Sequence, residues 1–152
     1  MQKKLLICLI CLLYVLPVFA NDDKHHFPGI FVGTTHADDE FYNTIGLEYE
    51  YRLSQSTGVG VAYEHVSDYH EGAGANLFAL QMFYHPNTHI KLGVGVGQER
   101  IGGHDARSDV FYRLSAAYEY HAEPFEIEPT IDVDLLDGET SVVVGVAFVM
   151  PF

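Results

Sequence analysis

The stretch YEHVSDYHEGAGAN, residues 63–76, holds the side chains best suited to covalent chemistry. His65 and Ser67 are two residues apart, so on a strand they point to the same side. A histidine so placed can take the proton of a serine hydroxyl and make the oxygen a nucleophile. It does so only if a third group orients the ring and donors meet the oxyanion. No carboxylate occupies a matching position on the following strand, and Glu71 is an unconstrained acid in a loop. A nucleophilic pair is therefore one reading, and a rim histidine beside a turn serine is the other. The expectation taken forward is that the chain is not an enzyme.

Metal ligation is the second chemistry to weigh. His36, Asp38, Asp39, Glu40, Asp68, His70, Glu71, His104 and Asp105 fall in three polar segments, around 37–42, 67–75 and 99–107. Such segments could converge on a divalent cation. Their spacing matches no ligand motif, and His25-His26 has no partner motif either. Neither a metal nor a cofactor is expected.

The remaining ionisable residues are ordered by the elements that carry them. In FEIEPTIDVDL, Phe125, Ile127, Pro129, Ile131, Val133 and Leu135 share one face of a strand, and Glu126, Glu128, Thr130, Asp132 and Asp134 share the other. A helix would scatter those acids around its circumference, whereas a strand sorts them. The same alternation, broken by Gly, Asp, Asn, Ser and Pro, predicts eight strands, at about 28–36, 43–53, 58–66, 76–85, 89–98, 108–121, 125–135 and 140–152. SQST, HPNT and HAEP make tight connections, HADDEFYN, SDYHEGAGA and QERIGGHDARS longer ones, and Asp137-Gly138 a hairpin turn. Short turns at one end and longer loops at the other predict an all-β, eight-stranded antiparallel up-and-down transmembrane β-barrel, crossing the bilayer with tilted strands of about 9–11 residues.

Glycine indicates which face is outside. In HIKLGVGVGQER, Ile90, Leu92, Val94 and Val96 share a face, and Lys91, Gly93, Gly95, Gly97 and Glu99 share the other. Glycine contributes nothing to a solvated strand surface, but in a narrow lumen it makes room for long charged neighbours. The apolar faces should therefore meet lipid. Tyr51, Tyr84, Tyr118, Tyr120, Phe125 and Phe152 would form one interfacial aromatic band, and Tyr63, Phe78 and Tyr112 the other. Inside, Glu48, Glu50, Glu64, Glu99, Asp109, Glu119, Glu126, Glu128, Asp132 and Asp134 would face Arg52, Lys91 and Arg113 as a lumen charge network. Eight strands leave an interior that side chains fill, so a general porin is not expected and a narrow channel stays an alternative.

The first residues, MQKKLLICLICLLYVLPVFA, read as a secretory signal peptide over 1–20, with the barrel domain over 21–152. Cys8 and Cys11 leave with it, so no disulfide is expected. The whole sequence carries a net charge of −13 with its few bases scattered, which argues against nucleic acid as a partner.

Signal peptide, eight alternating strands and the closing VVVGVAFVMPF together resemble the small outer-membrane β-barrels of the outer membrane protein X and outer membrane protein A transmembrane-domain type. The resemblance implies an integral protein of a Gram-negative cell outer membrane, expected as a monomer among lipid and lipopolysaccharide. It also implies that Phe148, Met150 and Phe152 form an assembly signal for the barrel-assembly machinery. The loops would then serve a structural or surface-interaction role, contacting host or surface ligands. His65-x-Ser67 is similar to the His-x-Ser of lipid A deacylases, which implies lipid A ester hydrolysis as the enzymatic alternative. Here Asp68-Tyr69-His70 replaces the Asn-Ala-Gly that follows the serine in those enzymes.

Overall fold

The computed structural model describes residues 24–68, 74–102 and 107–152. The expected signal peptide and the loop residues His70, Glu71, His104 and Asp105 lie outside them. In chain order the strands are β1 (His26–Ala37), β2 (Glu40–Arg52), β3 (Thr57–Val66), β4 (Ala75–Asn87), β5 (Ile90–Ile101), β6 (Arg107–Tyr118), β7 (Tyr120–Ala122), β8 (Phe125–Leu135) and β9 (Thr140–Val149). β6 and β7 both pair with β8 and are separated only by Glu119, so together they form a single stave. Eight antiparallel staves result, each beside its sequence neighbour. β1 pairs with β9, which closes the sheet into a barrel.

The expected inversion of faces is present. Leu47 is 61% exposed and Val94 57%, while Arg113 is 1% exposed and Asp134 fully buried. The main strands run for 10–13 residues. At roughly 3.4 Å per residue and a tilt of about 40°, such strands cover the roughly 30 Å of a hydrocarbon core. Tyr63 and Phe78, paired directly across β3 and β4, and Tyr112 stand outward near the loop end. Tyr51, Tyr84, Tyr118, Tyr120 and Phe125 stand outward near the turn end.

One connection is shorter than the sequence reading. The segment from His36 to Asn43 is not a loop: β1 and β2 continue until Ala37 pairs with Glu40, leaving only Asp38 and Asp39 in the turn. Both have positive φ, 51° and 62°. That is the primed two-residue turn whose twist suits a hairpin, and aspartate is among the few residues that tolerate it. The alternation continues to the turn, with Phe41 outward and Tyr42 packed against the interior.

The interior is layered. Toward the loop end, Ala37, Ala62, Val66, Ala75, Leu77, Ala79, Ile101 and Phe111 form an apolar plug. Charged side chains fill the middle, and Phe27, Phe31, Val143, Ala147 and Val149 pack along one wall. Glycines make room for these large groups. A Cβ on Gly58 would collide with the Glu50 carboxylate, and one on Gly97 with the Phe111 ring and the Phe78 carbonyl.

Candidate functional site in the barrel lumen

Arg113 projects inward from β6 and is the centre of the upper network. Its Nε and Nη2 donate to the two Asp134 carboxylate oxygens, both at 2.7 Å. Nη2 also donates to Glu64 Oε2 at 3.0 Å, and Nη1 donates to Glu64 Oε1. Asp132 Oδ2 lies 3.7 Å from Nη1. One guanidinium thus ties β6 to β3 and β8 through paired, charge-assisted bonds, the arrangement its planar fork favours.

The lower network surrounds Glu50 and Glu119. Lys91 donates to Glu128 and lies 3.9 Å from Glu50 Oε2. Arg52 donates to Glu119, and its Nε is 3.4 Å from Glu50 Oε1. His85 donates from Nε2 to Glu50 Oε1 at 2.7 Å, and its Nδ1 faces Glu119 Oε1 at 3.3 Å. Below these groups a cavity of about 610 Å³ opens at the turn end, lined in part by Arg52, His85, Glu119, His121 and Glu126.

At the rim of this mouth, outside the bilayer-crossing length, His121 donates from Nδ1 to Glu126 Oε1 at 2.9 Å and from Nε2 to the Thr88 carbonyl at 2.7 Å. Both ring nitrogens meet acceptors, so both carry protons. Partial burial opposes the charged ring, but the Thr88 carbonyl and the Glu126 carboxylate outweigh it and raise its pKa above the ordinary histidine value.

Of the sequence-derived lumen residues, Glu50, Glu64, Lys91, Arg113, Glu126, Glu128, Asp132 and Asp134 are buried, with Arg52 and Glu48 half-buried beside them. Asp109 sits at the loop-end rim instead. Its side chain is 43% exposed and paired with Arg107 at 3.0 Å. Two features escaped the sequence reading. His85 has the same inward parity as Leu77 and Ala79 but lies at the strand's last predicted position. Phe27, Phe31 and Phe111, assigned to neither interfacial band, place aromatic rings inside.

His65 and Ser67 lie near the loop end of β3. His65 donates from Nδ1 to Asn76 Oδ1 at 3.0 Å, an oxygen that also accepts from Tyr63 at 2.9 Å. Ser67 is held through its backbone N–H by the Asn43 carbonyl at 2.9 Å. Among the described residues nothing couples the hydroxyl to the ring, and no carboxylate stands behind His65. Among the described residues, the metal-type side chains of the loops do not gather there either; His36 packs on Phe41. Among the described residues, ligand-type side chains gather at the opposite end, as Glu50–His85–Glu119 and Glu119–Glu126–Glu128.

No protein-family model matches the chain, and no curated protein matches it in sequence. Solved structures do match in fold. The N-terminal β-barrel domain of Pseudomonas aeruginosa OprF superposes with a TM-score of 0.66 at 16% identity, over 86% of this chain and 100% of that one. Neisserial surface protein A, NspA, gives 0.61 at 9% identity, over 84% of this chain and 96% of that one. Ail, the attachment invasion locus protein of Yersinia pestis, gives 0.59 at 14% identity, over 86% and 99%. An apolar exterior on this closed eight-stave fold defines an integral membrane β-barrel with the fold of these outer-membrane proteins.

Proposed function

We propose that this barrel is a filled, non-conducting scaffold of a Gram-negative outer membrane that presents its loop end to the cell's surroundings. The observation that carries the reading is the layered interior. The apolar plug of Val66, Leu77, Ile101 and Phe111 lies above a cross-braced charge network, so side chains occupy the space a channel would need. The turn end faces the periplasm, and Phe148, Met150 and Phe152 serve as the signal by which the assembly machinery receives the chain.

The loop end sets the kind of partner. Asp38, Asp39, Glu40, Asp68, Asp137 and Glu139 stand there against Arg100 and Arg107. Such a surface suits a cationic partner, or lipopolysaccharide bridged by divalent cations. One Ail structure is a complex with the heparin analogue sucrose octasulfate; the acidic loop end here favours the opposite charge. The test is binding of folded, detergent-solubilised protein to a cationic and an anionic peptide at low and high salt. Salt-sensitive binding to the cationic peptide alone supports the reading, and preference for the anionic one contradicts it.

One observation favours a second reading: Asn76 fixes the tautomer of His65 so that Nε2 is free to act as a base. Mass spectrometry of lipid A from cells expressing wild type or His65→Ala separates the two. Identical profiles leave the scaffold, and ester-linked chains missing only with wild type establish the hydrolase.

A further inference from the structure

We infer that the turn-end mouth of the lumen is a binding site for one divalent transition-metal ion of the zinc class, held by His85, Glu50 and Glu119. These residues come from β4, β2 and the break between β6 and β7, so only the closed barrel assembles them. One ligand atom from each lies within 4.8 Å of those of the other two. Coordination at about 2.0–2.2 Å therefore requires side-chain adjustment but no movement of strands.

Two buried atoms of this triad have no hydrogen-bond partner: His85 Nδ1, which only faces Glu119 Oε1 at 3.3 Å, and Glu50 Oε2, 3.9 Å from Lys91 Nζ. Both residues are only 4% exposed. Orphaned polar atoms at that depth are costly, and a cation would satisfy them together.

Access and ligand type select the ion. The 610 Å³ cavity reaches His85 and Glu119 from the turn end, while the apolar plug closes the other side. An imidazole with two carboxylates suits zinc-class ions, whereas magnesium and calcium prefer oxygen ligands alone. Arg52 must release Glu119 as the ion enters. Its guanidinium already lies over the Phe27 ring at 3.8 Å, so it keeps a partner when it does.

The experiment uses untagged, folded protein in detergent, stripped with a chelator and titrated with Zn²⁺ in competition with a chromophoric chelator. One Zn²⁺ per chain is expected, undisturbed by tenfold Mg²⁺ or Ca²⁺. His85→Ala and Glu119→Gln should each weaken binding at least tenfold, and His26→Ala and His65→Ala should leave it unchanged. Gel mobility before and after boiling verifies that each variant folds. If His85→Ala does not fold, wild type still decides, because Zn²⁺ must shift the ¹⁵N resonances of the His85 ring. No stoichiometric binding, binding unchanged in folded His85→Ala, or an unshifted His85 ring would each overturn the site.

Discussion

Arg113 shows what a single residue does in this interior. Its guanidinium satisfies both Glu64 and Asp134, so removing it strands two carboxylates in a place with little water. Breaking a buried pair in this way costs about 3–5 kcal/mol. Arg113→Met should therefore lower unfolding stability by that order, measured by urea titration of the folded band on unboiled gels. Adding Glu64→Gln and Asp134→Asn should recover most of the loss, because the orphaned charges go with their partner. His121 supports a prediction of a different kind. In metal-free buffer its ring should titrate above the ordinary histidine value by NMR, and Glu126→Gln should bring the midpoint down. The sign follows from linkage: a raised folded pKa stabilises the fold below the unfolded pKa, and that contribution is lost as pH rises through the folded one.

Strands were the most legible elements. Sorting of acids from aliphatics over Phe125–Leu135 allows only a strand with one wet and one dry face, and β8 occupies those residues. Turn chemistry was less legible. Asp38 and Asp39 make a two-residue turn only because both accept positive φ, and aspartate does so conditionally where glycine would have announced it. The site was legible as parity but not as pairing. Nothing in the chain says that His85 meets Glu119, since the meeting depends on which strands close the barrel. Glycine was read correctly as making space, but part of that space is filled by phenylalanine rings rather than charges alone. Gly97→Val should thus block the Phe111 ring and reduce the folded fraction after refolding, seen as loss of the fast-migrating band. The final strand belongs to the same scale. Phe152 pairs with His26 through two backbone hydrogen bonds and stacks on its ring at 5.2 Å, yet lies at the edge of the packed structure. If it acts mainly as an assembly signal, Phe152→Ala should lower the amount of barrel in cells much more than the yield of refolding in detergent.

Across the whole molecule the decisive property is inversion: charges inside, aliphatic side chains outside. A water-soluble barrel of the same topology would need the opposite arrangement, because a lipid-facing carboxylate and a water-facing leucine belt are both unfavourable. The plug and the braced network further predict no discrete conductance steps in planar bilayers; steady channel openings from pure protein would contradict a filled interior. The chain contains no tryptophan, which makes the inversion directly measurable. Single tryptophans placed at Leu80, at Val94 and, inside, at Phe111 can be compared in vesicles containing brominated lipid. Strong quenching at Leu80→Trp and Val94→Trp with little at Phe111→Trp is the predicted result. Quenching of the inner position with none of the outer two would contradict the account.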